Sequence, residues 1–455
     1  LYAYTKYRQA KQEVNHETRK KLISDSDDLT ESLGIFNPIG AGTLFWREDM
    51  DDVLRNGLRI NLRHGMVDLY KGVALFSPLY KGGKLKVFEE TYFLLKKSMD
   101  AGYCKRIAAA SLGRTCFFWA RTFWDNRILE EAESYSNRAL EASGTTPREM
   151  IFTTLGQIAL LRDDLDDAKK MFEMALKWTD TTELIYHFNS LCGLGKTWLY
   201  RGDMEKALKF LGQAFDCNDN DPYVNMTLAE YYFLLGKLDR AQEYAERALR
   251  PLPGAETNMA SCYLMLARIL VAKGEEEEAI DTLALLDRQE VIHSPKDLCI
   301  ACILITTIAK VEHRRGLDVN RKIKYLVESM LQRAHIDASN LHIYRTMLSA
   351  YSYLTKNHKM VCELLDESGQ KWVEQDAPDN SRSFKMKRAY ELYLLAMAWH
   401  ERIEKEPDLH DRSSPRVIFQ KAEEIYCGQT TSSKFMDYWD IYERIRKKAK
   451  TQLGL

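Results

Sequence analysis

The chain has 455 residues, more than a single compact core readily holds, and 65 Lys+Arg against 66 Asp+Glu leave a formal charge of −1. That balance excludes a polyanion-coating surface of the kind that binds nucleic acid or acidic membrane through net charge alone. Only 10 prolines and no sustained period-two alternation exclude an all-β chain, and no apolar run reaches the roughly 20 residues a membrane helix needs.

In chain order, residues 1–111 form an N-terminal helical region. It should hold a helix near Thr5–Ser24, a break at Asn37–Gly42, a helix from about Arg47, and a helix pair over 60–98 joined at Lys81-Gly82-Gly83. That pair reads as a diverged unit or an N-terminal cap. Residues 112–290 then repeat one pattern five times, a small residue followed twelve positions later by alanine: Ala120/Ala132, Gly156/Ala168, Gly195/Ala207, Ala229/Ala241 and Ala267/Ala279. Successive units begin 36, 39, 34 and 38 residues apart, the period of a helix–turn–helix array. One such pair cannot bury its apolar face alone, so the pairs must stack.

The turn between the two helices falls at Arg127, Asp163-Asp164, Gly202, Gly236 and Gly274 in the five units. Residues 291–455 form a C-terminal helical region. It opens with an apolar helix capped by Ser294 and Pro295, continues through a helix at Asn320–Arg333, and returns to a near-repeat with Ala350, Tyr353 and Cys362. Two further helices are expected, and then a last one over Met436–Gln452 that ends in Arg444, Arg446, Lys447, Lys448 and Lys450. Basic residues late in a helix complement its dipole, and a solvated helix end is the expectation here.

The cleanest unit, Asp221–Pro253, carries Leu228-Ala229, Tyr232, Gly236, Ala241, Ala248 and Pro253. On those residues it resembles the tetratricopeptide repeat. The resemblance implies an all-α, right-handed α-solenoid of stacked antiparallel helix pairs. The first unit departs from the family by carrying Ser136 where an aromatic is usual. A fainter similarity over about 255–335 is to the helical-repeat scaffolds of meiotic crossover.

Chemical motifs are sparse. Gly193-Leu194-Gly195-Lys196-Thr197 ends like a phosphate loop, but Ser190 stands where that motif needs glycine, and the stretch lies in a repeat helix. Cys299-x-x-Cys302 lacks a second Cys or His pair, so its cysteines read as core. No catalytic, cofactor or metal residues are expected. Glu275–Glu278 opens a helix, where negative charge suits the dipole. The scattered cysteines suit a reducing, intracellular setting, cytoplasmic or nuclear. The chain opens on Leu1 rather than Met, as a segment of a longer protein would.

In tetratricopeptide arrays the first helix of each pair lines the groove. The resemblance therefore places Phe117, Phe118, Arg121, Trp124, Lys196, Tyr200, Tyr223, Met226, Phe233 and Arg268 there. The family's chaperone-tail clamp of Lys, Asn and Arg is replaced by Thr153, Gln157, Gly193, Tyr223 and Thr227. The expected function is a non-enzymatic scaffold or adaptor that holds an extended or helical segment of a protein partner on an apolar, aromatic groove. A tightly wound lumen, or a flanking helix, would fill the same space. A regulatory solenoid of a larger enzyme, or an RNA-binding array, are the alternatives. The second needs more cations than Arg114, Arg121, Lys196 and Arg268 supply.

Overall fold

The structure, a computed structural model, describes residues 69, 72, 85–101, 105–123, 125–142, 148–178, 184–250, 259–288, 295–308, 327, 341–365, 382–405, 415–427 and 439–455. The elements expected at 5–24, 37–42, from 47, at 81–83 and, apart from residue 327, at 320–333, together with Trp124, Pro253 and Ser294, lie outside those residues.

Among the described residues there are 17 helices and no strand, so the fold is all-α. They are α1 (Leu85–Asp100), α2 (Lys105–Phe123), α3 (Asn126–Glu141), α4 (Arg148–Leu161), α5 (Leu165–Trp178), α6 (Leu184–Tyr200), α7 (Met204–Cys217), α8 (Pro222–Leu234) and α9 (Leu238–Ala248). After them come α10 (Met259–Lys273), α11 (Glu276–Arg288), α12 (Pro295–Ile308), α13 (Leu341–Leu354), α14 (His358–Leu365), α15 (Arg382–Lys405), α16 (Pro415–Cys427) and α17 (Trp439–Gln452).

By packing, the chain divides into two units. The first holds Leu1–Ala120, Arg127–Ile158 and Lys170–Ser190; the second holds Arg121–Asn126, Ala159–Lys169 and Leu191–Leu455.

In the first unit, α1, α2 and α3 pack around Phe88, Leu95, Leu112, Cys116, Ala132 and Ala139, all inaccessible to solvent. Ser136 has a reason to be small. A Cβ placed on Gly113 would lie 3.0 Å from the Ser136 backbone nitrogen, so α2 and α3 touch there and an aromatic would force them apart. Arg106 donates from Nε to the Ala139 carbonyl at 2.9 Å, in the last turn of α3, where carbonyls lack helical partners. The turn of this unit precedes α3, which starts at Asn126; Arg127 sits in the first helical turn instead of at the connection. Further along, Gly156 faces the Phe172 ring, where an added Cβ would come within 2.8 Å.

In the second unit one turn recurs five times. Asp163, Gly202, Gly236, Gly274 and Lys356 all have positive φ, at 64°, 81°, 71°, 82° and 60°. Each amide donates to the carbonyl three back, and the next amide to the carbonyl five back: Gly202→Leu199 with Asp203→Trp198, and likewise to Lys356→Tyr353 with Asn357→Ser352. This is the Schellman arrangement, which ends one helix and aims the chain back along it. Asp164, Asp203 and Asn357 then cap the next helix by accepting from Asp167, Lys206 and Met360.

The small-residue register follows from this turn. Seven residues before the left-handed position stand Gly156, Gly195, Ala229, Ala267 and Ser349; five after stand Ala168, Ala207, Ala241, Ala279 and Val361. Ala207, Ala229, Ala241, Ala267 and Ala279 are wholly buried, as are Ser349 and Val361. The near-repeat beyond 340 is thus in register at Ser349 and Val361, one residue away from the Ala350 and Cys362 read from sequence. Its helices are α13 and α14.

Within this unit α8 packs on α9 and α10, α10 on α11 and α12, α12 on α13, and α15 on α13, α14, α16 and α17. The helix pairs stack as in a repeat array. Buried residues fill α12 from Leu298 to Ile305 and α15 from Ala389 to Trp399, so both run through the middle of the packing. A buried ion cluster joins α13 to α15. Glu391 accepts from Thr346 at 2.5 Å, Arg388 at 3.1 Å, Arg345 at 3.2 Å and Lys387 at 3.2 Å. Burial would push its carboxyl up, but the three cations outweigh that and hold it well below the usual range.

Candidate functional site

The stretch that ends like a phosphate loop and the Cys-x-x-Cys pair lie in helices. Thr197 donates to the Gly193 carbonyl at 2.7 Å inside α6, so Gly193–Thr197 is helix. Cys299 and Cys302 are fully buried in α12, and burial pushes the Cys299 thiol up to about 12, the protonated state of a small core residue. Glu276, Glu277 and Glu278 form the first turn of α11, with Lys273 reaching Glu275 at 3.3 Å.

The groove-side residues meet different fates. Phe117 and Phe118 are buried in the first unit with ring centroids 5.3 Å apart, and Arg114 sits over the Phe118 ring. In the second unit Tyr200 and Arg268 are buried, while Arg121, Lys196, Tyr223, Met226 and Phe233 are partly exposed. At Phe117, Phe118, Tyr200 and Arg268 the side chains are buried, as the filled alternative left open by the sequence would have them.

For Arg268 the covering element is α17. Asp440 accepts from its Nη2 at 2.5 Å and its Nε at 3.1 Å, with the guanidinium 5.1 Å from the Phe233 ring centroid. From Asp440 a polar stripe runs along α17 at four-residue spacing. Arg444 donates to the Val271 carbonyl of α10 at 3.3 Å, Lys448 to the Thr306 carbonyl of α12 at 2.8 Å, and Gln452 accepts from Tyr353 of α13 at 2.9 Å. One position on, Ile441, Ile445, Ala449 and Leu453 are buried. The last helix is laid across successive helices of the array as a ligand helix would be. Its other cations are engaged too: Arg446 and Lys450 meet Glu423, and Lys447 meets Glu443. The basic end expected from sequence to be solvated is so at Lys447, while Arg444, Arg446 and Lys448 brace neighbouring helices.

Beyond Asp440 the brace ends and α8 presents a stripe. Every residue from Pro222 to Tyr232 is buried except Tyr223 and Met226, and Phe233 follows on the same helical face. Asp221 caps this helix, accepting from the amides of Tyr223 at 2.9 Å and Val224 at 3.0 Å, and Pro222 opens it. The stripe is flanked by charge. Lys196 lies 3.4 Å from Glu230 and 5.2 Å from the Tyr200 ring centroid, and Tyr200 donates to Glu230 at 3.4 Å. Burial pushes the Tyr223 phenol up to about 12, with the charges of Lys196 and Arg121 drawing the other way. Tyr223, Met226 and Phe233 therefore share one face of α8, with Lys196 reaching Glu230 on that same helix. Neither the brace nor its neighbourhood had a local sequence signal.

Among the described residues no helix is long and apolar enough to cross a membrane. Comparison with known proteins gives the following. The family model described as tetratricopeptide repeat matches residues 222–250, the α8–α9 pair. None of the curated proteins compared matches the chain. Among solved structures, PilF of Pseudomonas aeruginosa is similar at 15% identity over 50% of this chain and 91% of its own, with a TM-score of 0.36. A human IFIT1 dimer with PPP-AAAA is similar at 12% identity over 93% of this chain and 89% of its own, with a TM-score of 0.49. Residues 222–250 are thus a tetratricopeptide repeat, and the same turn and small-residue register recur in the helix pairs around it, which makes the chain a helical-repeat protein.

Proposed function

We propose that the chain is a non-enzymatic scaffold or adaptor that holds a segment of a partner protein on the strip formed by Tyr223, Met226 and Phe233, with Arg121 and Lys196 beside it. One observation carries this reading. A helix buried on all other sides keeps one stripe accessible, and that stripe is apolar and aromatic. Paired helices turn polar faces to solvent elsewhere in the same repeat: α9 exposes Asp239, Arg240, Glu243 and Glu246 around a buried Ala241, Ala245 and Ala248. Aromatic and Met side chains on an otherwise packed surface supply contact area at low entropic cost, as binding hot spots do.

The test is a Met226→Ala, Phe233→Ala double variant, assayed beside wild type for capture of partner proteins from native extract and then for binding the purified partner. The variant should keep its helicity and lose that partner by at least about tenfold in affinity. A folded variant that retains wild-type affinity refutes the reading. Reversal of Glu276–Glu278 in α11 should leave the partner bound.

A further inference from the structure

We infer that His358 is a proton-operated latch on the last helix. Neutral, it packs against the Tyr353 ring and keeps the end of α17 seated; a proton taken up in mildly acidic medium loosens that seat.

The contacts carry this. His358 is the first residue of α14 and is 8% exposed, and its ring centroid lies 5.7 Å from that of Tyr353 in α13. Tyr353 is in turn where the end of α17 is held. Its hydroxyl donates to Gln452 Oε1 at 2.9 Å, and Lys448 lies 5.4 Å from its ring centroid. Gln452 extends the connection by donating from Nε2 to Glu401 of α15 at 2.8 Å. The imidazole, the phenol and two side chains of α17 are thus linked in one chain of contacts. Because α17 lies across α10, α12 and α13, this chain sets how firmly the protein's own last helix covers them.

What faces the imidazole sets the cost of a proton there. Burial deprives an imidazolium of its water. The first-turn amides of α14, where His358 sits, carry partial positive charge. Lys356, in the turn after α13, and Lys405 of α15 both oppose the added charge, and Glu401 alone draws it. Glu401 is itself met by Gln452 and, at 4.0 Å, by Lys405. On α14 itself, Lys359 and Glu363 are exposed and pair with each other at 3.9 Å. The balance holds the imidazole below its ordinary 6.5. With the folded value depressed, the unfolded chain takes up the proton first. The contribution of His358 is therefore complete above pH 6.5 and is lost as pH falls below it.

The experiment is amide hydrogen exchange of the full chain at about pH 7.5 and about pH 5.5, corrected for the intrinsic pH dependence of exchange, beside NMR titration of 13C-labelled histidines. Protection over residues 445–455 should fall at least about threefold at the lower pH, while α9 stays unchanged. His358→Phe keeps a ring and takes no proton, so it should abolish the fall. Lys405→Gln, at a side chain 63% exposed, should raise the His358 midpoint and shrink the fall. Unchanged wild-type protection, or a fall that persists in His358→Phe, overturns the inference. If His358→Phe does not fold, the other two measurements decide. A His358 midpoint at or above 6.5, or an undiminished fall in Lys405→Gln, overturns it as well.

Discussion

Arg444 of the last helix donates to the carbonyl of Val271, in the final turn of α10, 173 residues away in sequence. The same carbonyl accepts from Gly274, whose left-handed conformation ends that helix. The last carbonyls of a helix carry partial negative charge, so a guanidinium there engages the second lone pair of this acceptor and complements the dipole together. Lys448 does the same one turn later for α12, through Thr306. Charge-assisted hydrogen bonds of this kind contribute roughly 1.5–3 kcal/mol each when well shielded, and less at these half-exposed positions. The Arg444→Ala, Lys448→Ala double variant should lose about 1–3 kcal/mol of stability in urea. Amide exchange should rise at the ends of α10 and α12 and stay unchanged in α3.

Acid should loosen the α16–α17 junction. Glu423 accepts from Arg446 at 2.6 and 2.8 Å and from Tyr393 at 2.7 Å. Burial would raise its carboxyl, but those hydrogen bonds and the charges of Arg446 and Lys450 prevail and hold it at about 2, below its ordinary 4.5. A depressed folded value means the stabilisation is complete above pH 4.5 and drains away as pH falls towards 2. Glu423→Gln should lower stability at neutral pH and flatten its dependence across that window. A wild-type slope in the variant would remove Glu423 from the account.

Helix crossings should tolerate no added methyl. A Cβ on Gly195 would come within 2.6 Å of the Leu211 side chain and 3.3 Å of its backbone nitrogen, whereas one on Gly212 would meet nothing within 4 Å. Gly195→Ala should therefore cost roughly 1–3 kcal/mol by overpacking, and Gly212→Ala, inside α7, should gain about 0.4–1 kcal/mol. Ala241→Leu, at a wholly buried site, should fall with the first. Thermal melts of the three variants give the order, and a stabilised Gly195→Ala would break the assigned crossing.

What the sequence made legible is what the chain encodes locally. The spacing of Gly195 to Ala207 straddles a turn whose geometry is fixed within a few residues, so period and turn could be read together. Contacts made at long range left no such trace. Asp440 and Arg268 are 172 residues apart, and each alone looks like an ordinary surface charge. The basic run at 444–450 therefore read as a solvated end, when its partners are two carbonyls and the carboxylates of Glu423 and Glu443. For the same reason the sequence left open whether the groove is filled by the protein's own helices. Nothing near Arg268 announces that α17 covers it. The Ser349/Val361 unit was displaced by one residue because its register positions are not the small pair the other units use.

That unit gives the last prediction. Lys356 holds the left-handed turn position that Gly202, Gly236 and Gly274 hold elsewhere, at φ 60°. A Cβ in that conformation crowds the following carbonyl, at about 1–2 kcal/mol for an L-residue, and glycine is free of the clash. The surrounding hydrogen bonds, Lys356 to Tyr353 and Asn357 to Ser352, keep the strained geometry in place. Lys356→Gly should accordingly stabilise the chain by about 0.5–1 kcal/mol, after the entropy glycine adds to the unfolded state is subtracted. Lys356→Ala keeps the Cβ and should gain nothing. Equal melting temperatures for the Gly and Ala variants would show that the turn at 356 is not the Schellman turn of the earlier repeats.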